Sequence, residues 1–242
     1  MMNPASQQVP ADFNPSILSP FYFVRQGLLK AIGQFAPQLN GRLLDFGCGS
    51  KPYRSLFATA EYVGVDYENP GHPHTNEQID VFYDGKNIPF GNDHFDSILC
   101  SEVFEHVFNL PEILNELNRV LKPGGKMLVT CPFVWPEHEV PHDFARYSRF
   151  ALKSLLEQNG FEETGYVKTG NYWSATSQLR TMYFYELSVR TKWLQVIPFR
   201  WIYKFLFYGC INLGAVLCSR LFPQSHTLYL NNVMLVRKKV QA

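Results

Sequence analysis

Two glycines and two acids are spaced as the binding of a nucleoside would require. Gly47 and Gly49 follow the apolar run at 42–46, and without a Cβ they let the backbone turn tightly and approach a ligand. Asp66 ends the next apolar run, 21 residues after Asp45. An ionised carboxylate offers only acceptors, which suits both hydroxyls of a ribose. These residues predict an adenosine cofactor bound where two parallel strands end.

The charge of this loop and the residue at position 52 indicate the kind of cofactor. Asp45 precedes the first glycine, and its carboxylate would repel a pyrophosphate but suit a cationic amino group. A dinucleotide fingerprint also needs a third glycine, and Pro52 occupies that position. S-adenosylmethionine has an amino acid end and a sulfonium, and it carries no phosphate. The loop therefore favours S-adenosylmethionine over a nicotinamide cofactor.

A second group of reactive side chains follows a predicted strand. It comprises Glu137, His138, Glu139, His142, Asp143, Arg146 and Tyr147. A hydroxyl acceptor of a methyl group needs a base near neutral pH, and we expect His142, and after it His138, in that role. We expect Tyr147 to present its ring to a sulfonium. In the structural alternative, His142 and Asp143 cap or orient the next helix and Arg146 forms an ion pair.

Strands and helices that position these groups alternate along the chain. Apolar runs predict strands at 42–46, 61–66, 79–84, 95–101, 125–133, 161–170 and 228–239. Apolar residues at helical spacing predict helices at 16–39, 111–121 and 148–160, the last with Ser148 as its N-cap. Such alternation predicts a doubly wound α/β sheet, which binds ligands at the carboxyl ends of its strands. The glycines and acids described above lie at such ends.

Composition limits the class of protein. A chain of 242 residues that is 46% hydrophobic and 18% charged is typical of one globular domain. A net charge of +1 gives no field that would attract nucleic acid. The five cysteines form no CxxC pair, which favours reduced thiols in the cytoplasm. The polar, proline-containing N-terminus is not expected to be a signal peptide.

Over about residues 40–170 the sequence resembles a class I S-adenosylmethionine-dependent methyltransferase. Four segments carry the resemblance in the usual order: LLDFGCGSKPY, YVGVD, IPFGNDHFDSILCSEVFEHV and LNELNRVLKPGGKMLVTCPF. An HDFxRYS pattern at 142–148 resembles methyltransferases of glycan and cell-envelope pathways. The resemblance implies a Rossmann-like, seven-stranded mixed sheet whose last strand is antiparallel, flanked by helices.

The resemblance also assigns cofactor-binding residues. They are Asp45, Gly47, Cys48, Gly49, Asp66, Asp84, Gly85, Ser101 and Glu102. Asp84 would meet the adenine amino group, with Asp80 and Asp93 as alternatives. Ser101 and Glu102 would line the pocket for the methionine part of the cofactor.

Two clusters contain metal-ligand residue types, yet we expect no metal at either. A proline between His138 and His142 disrupts the helix that would place both on one face. Glu102, Glu105 and His106 lie within SEVFEHV, and some quinone-biosynthesis O-methyltransferases with this signature hold a divalent cation at the corresponding acidic residues. The signature also occurs in relatives for which no metal is implied. We therefore interpret Glu105 and His106 as structural or pocket-shaping residues.

Residues 173–226 form an apolar, aromatic insertion before the last strand, with one acid and six basic residues. Its uncharged run, 205–219, is shorter than the about 20 residues that span a bilayer as a helix. Basic residues with Trp and Tyr beside an apolar helix suit a membrane interface. A cap packed on the sheet, or a homodimer interface, is the alternative.

The expected domain organisation has three parts. These are an N-terminal segment with a covering helix at 1–40, a methyltransferase domain at 41–172 plus 227–239, and the insertion. We expect methyl transfer from S-adenosylmethionine to an oxygen of a small-molecule, glycan or lipid-linked acceptor. The expected location is the cytoplasm, with the membrane surface as an option. The alternative function is a non-catalytic binding or scaffold subunit at a membrane or in a complex.

Overall fold

A seven-stranded sheet organises the computed structural model, which describes residues 8–67 and 78–240. The strands are β1 (Arg42–Phe46), β2 (Glu61–Tyr67), β3 (Val81–Tyr83), β4 (Phe95–Ser101), β5 (Leu121–Pro132), β6 (Phe161–Lys168) and β7 (Asn231–Lys238). Their order is β3-β2-β1-β4-β5-β7-β6. β7 runs antiparallel to both of its neighbours, and the pairs from β3 to β5 are parallel. The predicted mixed, Rossmann-like sheet is confirmed.

Successive residues on the central strands point to opposite faces of the sheet, as a period of two requires. Leu44 and Ile98 belong to one buried cluster, together with α2 (Leu110–Val120) and α3 (Arg149–Gln158). The adjacent residues Leu43 and Leu99 belong to a second buried cluster, which also contains residues of α1 (Tyr22–Phe35). Helices therefore cover both faces of the sheet. Strands β2 and β3 are added on one side of β1, whereas β4 and the later strands are added on its other side, so the strand order reverses between β1 and β4. The carboxyl ends of these two strands open the crevice in which such folds bind ligands.

Several element bounds differ from the predicted ones for local reasons. The helix predicted at 16–39 is confined to α1 and a short 3₁₀ turn at Ala36–Gln38, because Pro20 and Pro37 restrict the backbone at its two ends. β3 is shorter than 79–84, since the Asp84 carboxylate accepts hydrogen bonds from the next backbone N–H groups and turns the chain. Ser148 caps α3 as predicted, by accepting from the Ala151 N–H.

The apolar insertion is helical, as expected. α4 (Tyr172–Arg190) begins with a capping box in which Asn171 and Ser174 bond reciprocally. A 3₁₀ turn at Lys192–Gln195 precedes α5 (Phe199–Tyr203), a π-helical segment (Lys204–Gly209) and α6 (Cys210–Leu221). The last three elements form one continuous helix of 23 residues. The uncharged run thus lies within a longer helix, and the length argument against a membrane span does not hold for it.

Candidate active site

A cavity of about 740 Å³ opens at the carboxyl ends of β1, β2 and β4. Of the residues assigned to cofactor binding, those that line it are Gly47, Gly49, Asp66, Asp84, Gly85 and Glu102. His142, the first expected base, lines the same cavity from the loop after β5. The fold therefore brings together the predicted cofactor loop, which contains Gly47 and Gly49, and part of the predicted acceptor loop at 133–148.

The glycine loop is fixed to the end of β2 by its own backbone. Gly47 has φ +71°, and its N–H donates to the Val65 carbonyl at 2.8 Å. A Cβ at Gly47 would overlap the Val103 side chain, so the loop closely approaches the segment after β4. Gly49 has φ +45°, and its N–H donates to Asp66 Oδ2 at 2.8 Å. Both positions need glycine's freedom in the left-handed region.

Asp66 and the loop after β3 form the other wall. Oδ1 of Asp66 accepts from the Tyr67 N–H at 2.8 Å, so its carboxylate is held at the end of β2 beside the glycine loop. Asp84 accepts from the N–H groups of Lys86 and Asn87 at 2.8 and 2.7 Å, and these hydrogen bonds hold its pKa below the usual range. Gly85, with φ +83°, lies directly under the Tyr67 ring.

Three assigned residues lie outside the described lining of the cavity. Asp45 is buried within β1 and accepts a hydrogen bond from the Tyr62 hydroxyl at 2.6 Å; burial raises the pKa of its carboxyl to about 7. The Cys48 thiol is buried, and burial raises its pKa. Ser101 Oγ shares a hydrogen bond with Thr130 Oγ1 at 3.1 Å. The cavity lining does not include these three residues, and their assignment to the cofactor stays a prediction.

Glu102 lines the cavity in an unusual backbone conformation, with φ +57°. Its Oε1 accepts from the Thr130 hydroxyl and its Oε2 from Asn231 Nδ2, both at 2.7 Å. Burial raises the pKa of its carboxyl to about 7, against the opposing effect of these hydrogen bonds and of Arg25 and Arg146. A carboxylate held in this way is suited to face a cationic amino group.

His106, interpreted from sequence as a structural or pocket-shaping residue, lines the cavity and places Nδ1 against a backbone carbonyl. Its Nδ1 lies 2.8 Å from the backbone carbonyl of His142, and because a carbonyl only accepts, Nδ1 carries the proton. In the neutral imidazole, Nε2 then carries the lone pair. It lies 3.8 Å from Glu105 Oε1 and 3.7 Å from Glu139 Oε2. The partner carbonyl is 36 residues away, so the short-range sequence pattern could not reveal this role.

The loop at 133–148 is held together by Arg146. Its guanidinium donates to both oxygens of Asp143, at 2.6 and 2.7 Å, and to the carbonyls of Trp135 and Pro136. Arg146 holds the pKa of Asp143 near 2. The alternative in which Arg146 forms a structural ion pair thus describes the observed contacts.

The two histidines expected as bases, and Tyr147, expected to present its ring to the sulfonium, are less favourably placed than His106. His138 is not among the residues described as lining the cavity, and its Nδ1 lies 3.3 Å from Asp143 Oδ2. Burial, followed by the nearby His106, lowers the pKa of His138. Tyr147 packs against the buried cluster around α3, and burial raises its pKa. The His142 imidazole is exposed at the cavity rim, while its backbone carbonyl orients His106.

Within the described residues, Glu105, His106 and His138 place one ligand atom each within 4.8 Å of one another. Both carboxylate oxygens of Glu105 are buried, and neither has a hydrogen-bond partner among the described residues. Burial, together with the charge of Glu102, raises the pKa of Glu105 well above its usual range. This donor set could hold a divalent cation, which would then occupy Nε2 of His106. The set differs from the one weighed from sequence in that it contains His138 instead of Glu102.

Strand order and the crevice geometry define the class I S-adenosylmethionine-dependent methyltransferase fold. A family model described as a methyltransferase domain matches residues 21–164, and the chain belongs to that family.

Relatives and solved structures are consistent with this assignment. The human mitochondrial ubiquinone biosynthesis O-methyltransferase is 32% identical over 175 residues, which cover 57% of this chain and 47% of that protein. The biotin biosynthesis bifunctional protein BioHC of Cellvibrio japonicus is 30% identical over 156 residues, covering 54% and 30%. The chain thus spans less than half the length of these two relatives. The crystal structure of the [4+2]-cyclase SpnF matches with a TM-score of 0.58 at 16% identity, over 94% of this chain and 86% of that chain.

Proposed function

We propose that this enzyme transfers the methyl group of S-adenosylmethionine to an oxygen atom of a small-molecule, glycan or lipid-linked acceptor, and that His106 accepts the proton. The observation that carries the proposal is that the glycine loop and His106 line the same cavity, with Nδ1 of His106 held by the His142 carbonyl. The similarity to an enzyme named as an O-methyltransferase supports the choice of oxygen.

The residues at the cavity fit the cofactor. No described atom lies within 4 Å of an ideal Cβ at Gly49, so the backbone there is open to a ligand. Asp66 would accept hydrogen bonds from the ribose hydroxyls, and Asp84 with Gly85 would flank the adenine. Glu102 would face the amino group of the methionine part. When bound, the cofactor supplies an electrophilic methyl group on a sulfonium, which is already a good leaving group.

His106 completes the reaction by removing the acceptor proton. The acceptor oxygen forms a bond to the methyl carbon as the carbon–sulfur bond breaks, and the hydroxyl proton moves to Nε2 of His106. Nδ1 remains bonded to the His142 carbonyl throughout, which fixes the direction of the lone pair. Glu139, 3.7 Å from Nε2, stabilises the imidazolium that results. Alignment of the two reacting atoms and exclusion of water supply the rest of the rate acceleration over the uncatalysed reaction.

The test compares two histidine variants in calorimetry and in a radiolabelled methyl-transfer assay. Acceptors are supplied as pools of phenolic and sugar hydroxyl compounds and a total lipid extract. Asn at position 106 can keep the donor to the His142 carbonyl but lacks Nε2. We therefore expect His106→Asn to bind S-adenosylmethionine as the wild type does and to lose at least about 100-fold in kcat. His142→Ala keeps its carbonyl, and we expect it to stay within a few-fold of the wild type.

Three further results would redirect the assignment. Cofactor binding without transfer to any pool would favour the non-catalytic alternative, and NAD binding in a parallel titration would contradict the cofactor. We expect activity to persist after treatment with EDTA, because Nε2 acts as the base without a cation. Loss of activity in EDTA and its recovery with Mg²⁺ would assign Glu105, His106 and His138 to a metal site instead.

A further inference from the structure

One face of the continuous helix at 199–221 is apolar and exposed. From the π-helical segment onward, this face carries Leu206, Leu213, Leu217 and Leu221, which are about half exposed or more. Cys210 lies in the same stripe and is also exposed. The spacings of three and four residues place these side chains along one side of a helix. Only 28% of the helix's most apolar window is buried, whereas the core helix of a soluble domain is mostly buried.

The opposite face fastens this helix to the rest of the domain. Tyr208, Asn212 and Ala215 are buried, and they are offset from the exposed stripe by two residues, about 200° around a helix. Asn212 Nδ2 donates to the carbonyls of Ile17 and Ser19 at 2.8 and 3.0 Å. The helix thus lies along the domain surface with its apolar side outward. A helix inserted across a bilayer would have to give up these contacts.

The insertion also has the charge and the aromatic residues of an interfacial element. Six basic residues accompany one acid within 173–226. Arg200 and Arg220 lie near the two ends of the helix and are exposed. Trp193 and Trp201 are 61% and 53% exposed, although tryptophan is costly to leave in water. An apolar stripe bordered by basic residues and tryptophans is complementary to an anionic lipid surface.

We propose that the face formed by the exposed residues of the helix at 199–221 docks on an anionic lipid bilayer, with the helix lying in the plane of the interface. If the face docks in this way, the methyl acceptor of the proposed function is lipid-linked, and this consequence rests on the proposed function.

An aromatic contact joins this helical insertion to the acceptor loop. The Phe21 ring lies 5.1 Å from the Tyr185 ring of α4 and 6.3 Å from the Trp135 ring of the loop. Trp135 also provides one of the carbonyls that hold Arg146. Phe21 thus places the insertion next to the loop that carries His142 into the cavity.

Cys210 allows a direct test on the purified full chain. In a Cys218→Ser background, Cys210 is labelled with an environment-sensitive fluorophore and mixed with vesicles of phosphatidylcholine, with or without 30% phosphatidylglycerol. We expect a blue shift and co-sedimentation with the anionic vesicles, both weakened by added salt. Leu213→Ser/Leu217→Ser should reduce the partition coefficient by about 10-fold or more. Phe150→Ser removes a 78% exposed apolar side chain on α3 and should leave it unchanged.

Other outcomes separate the docking surface from the alternatives. Folded protein that binds S-adenosylmethionine but not anionic vesicles overturns this inference and leaves the proposed function intact. Vesicle binding without methyl transfer to any acceptor supports the docking surface and contradicts the proposed function. A blue shift that depends on protein concentration, with a dimer in light scattering and no vesicle binding, assigns the face to self-association and overturns the proposal. Retention on vesicles through alkaline carbonate would indicate a spanning helix and also overturn it.

Discussion

Asn231 on β7 donates a hydrogen bond from Nδ2 to Oε2 of Glu102 at 2.7 Å and thereby connects the last strand to the cofactor cavity. The other end of its amide accepts from the Thr169 hydroxyl at 3.1 Å. Asn231 is 1% exposed, so its amide cannot turn to water if a partner is lost. The antiparallel strand therefore positions a side chain that lines the cavity, in addition to its place in the sheet.

Replacing this amide by a carboxyl should destabilise the protein in a pH-dependent manner. Asn231→Asp places a second buried carboxyl against Glu102, and we expect a loss of about 3 kcal/mol or more in the free energy of unfolding at pH 8. The loss should shrink as the pH falls below about 7, where Glu102 takes up a proton. Urea denaturation at several pH values measures it. Asn92→Asp, on an exposed loop, is the control, and an equal loss in both variants would contradict the role of Asn231.

Removal of the charge at the end of β2 should weaken cofactor binding with little effect on folding. Asp66→Asn keeps the size of the side chain but loses charge-assisted acceptance from the Gly49 N–H and from the ribose hydroxyls. We expect the Kd for S-adenosylmethionine in calorimetry to rise by about 10- to 100-fold. Asp93→Asn, at an exposed aspartate, should bind as the wild type does. Unchanged affinity in Asp66→Asn would remove Asp66 from the site.

A methyl group at Gly47 should be far more harmful than one at another loop glycine. Gly47→Ala forces a left-handed backbone on alanine and an overlap with Val103, and we expect a loss of about 1–3 kcal/mol in thermal or urea unfolding together with weaker cofactor binding. Gly91 has no described atom within 4 Å of an ideal Cβ. Gly91→Ala should therefore stay within about 0.5 kcal/mol of the wild type. Similar effects of the two substitutions would contradict the loop geometry.

The buried carboxyl of Asp45 should make stability depend on pH. Because its pKa is raised from 3.8 to about 7, folding favours the protonated form; this stabilisation is fully present below pH 3.8 and is lost as the pH rises to about 7. Asp45→Asn can still accept from Tyr62 and does not titrate. The stability of the variant relative to the wild type should increase between pH 4 and 7, by an amount on the order of 4 kcal/mol, and stay constant above pH 7. Melting curves without cofactor measure this relative stability. A stability difference between the variant and the wild type that does not change with pH would contradict the prediction.

Thiol reactivity should divide the five cysteines into two groups. Cys48, Cys100 and Cys131 are buried and burial raises their pKa values, so they should react with a disulfide reagent only after unfolding. Cys210 is exposed and Cys218 partly so, and both should react in the native protein. The chromophore released before and after guanidinium is added gives the number of reactive thiols in the native and in the unfolded protein. Rapid reaction of Cys48 in the native state would contradict the packing of the glycine loop.

The sequence was most informative where short-range patterns determine the backbone. The glycine loop, Asp66 and the antiparallel last strand could be predicted, since each is encoded by adjacent residue types or by a segment order shared with the family. Ser148 as the cap of α3 could be predicted for the same reason. These features depend on local conformational preference and on hydrophobic periodicity, which a sequence displays directly.

Side-chain direction and long-range partners could not be predicted in this way. Phe46 lines the cavity, whereas the side chain of Asp45 turns to Tyr62, because successive residues of a strand face opposite ways. The role of His106 depends on a carbonyl contributed by another loop. The reach of the helix at 199–221 was also underestimated, since its charged residues at the ends interrupt the apolar run without ending the helix.

The position of β7 has a consequence for how the enzyme is made. In the described sheet, β6 pairs only with β7, and β7 separates it from β5. While the chain is being synthesised, β6 therefore has no neighbouring strand to join until the ribosome has released β7. Asn231, which holds Glu102 in place, emerges together with β7. The nascent protein should thus acquire its cofactor affinity only after β7 has emerged and paired with both β5 and β6.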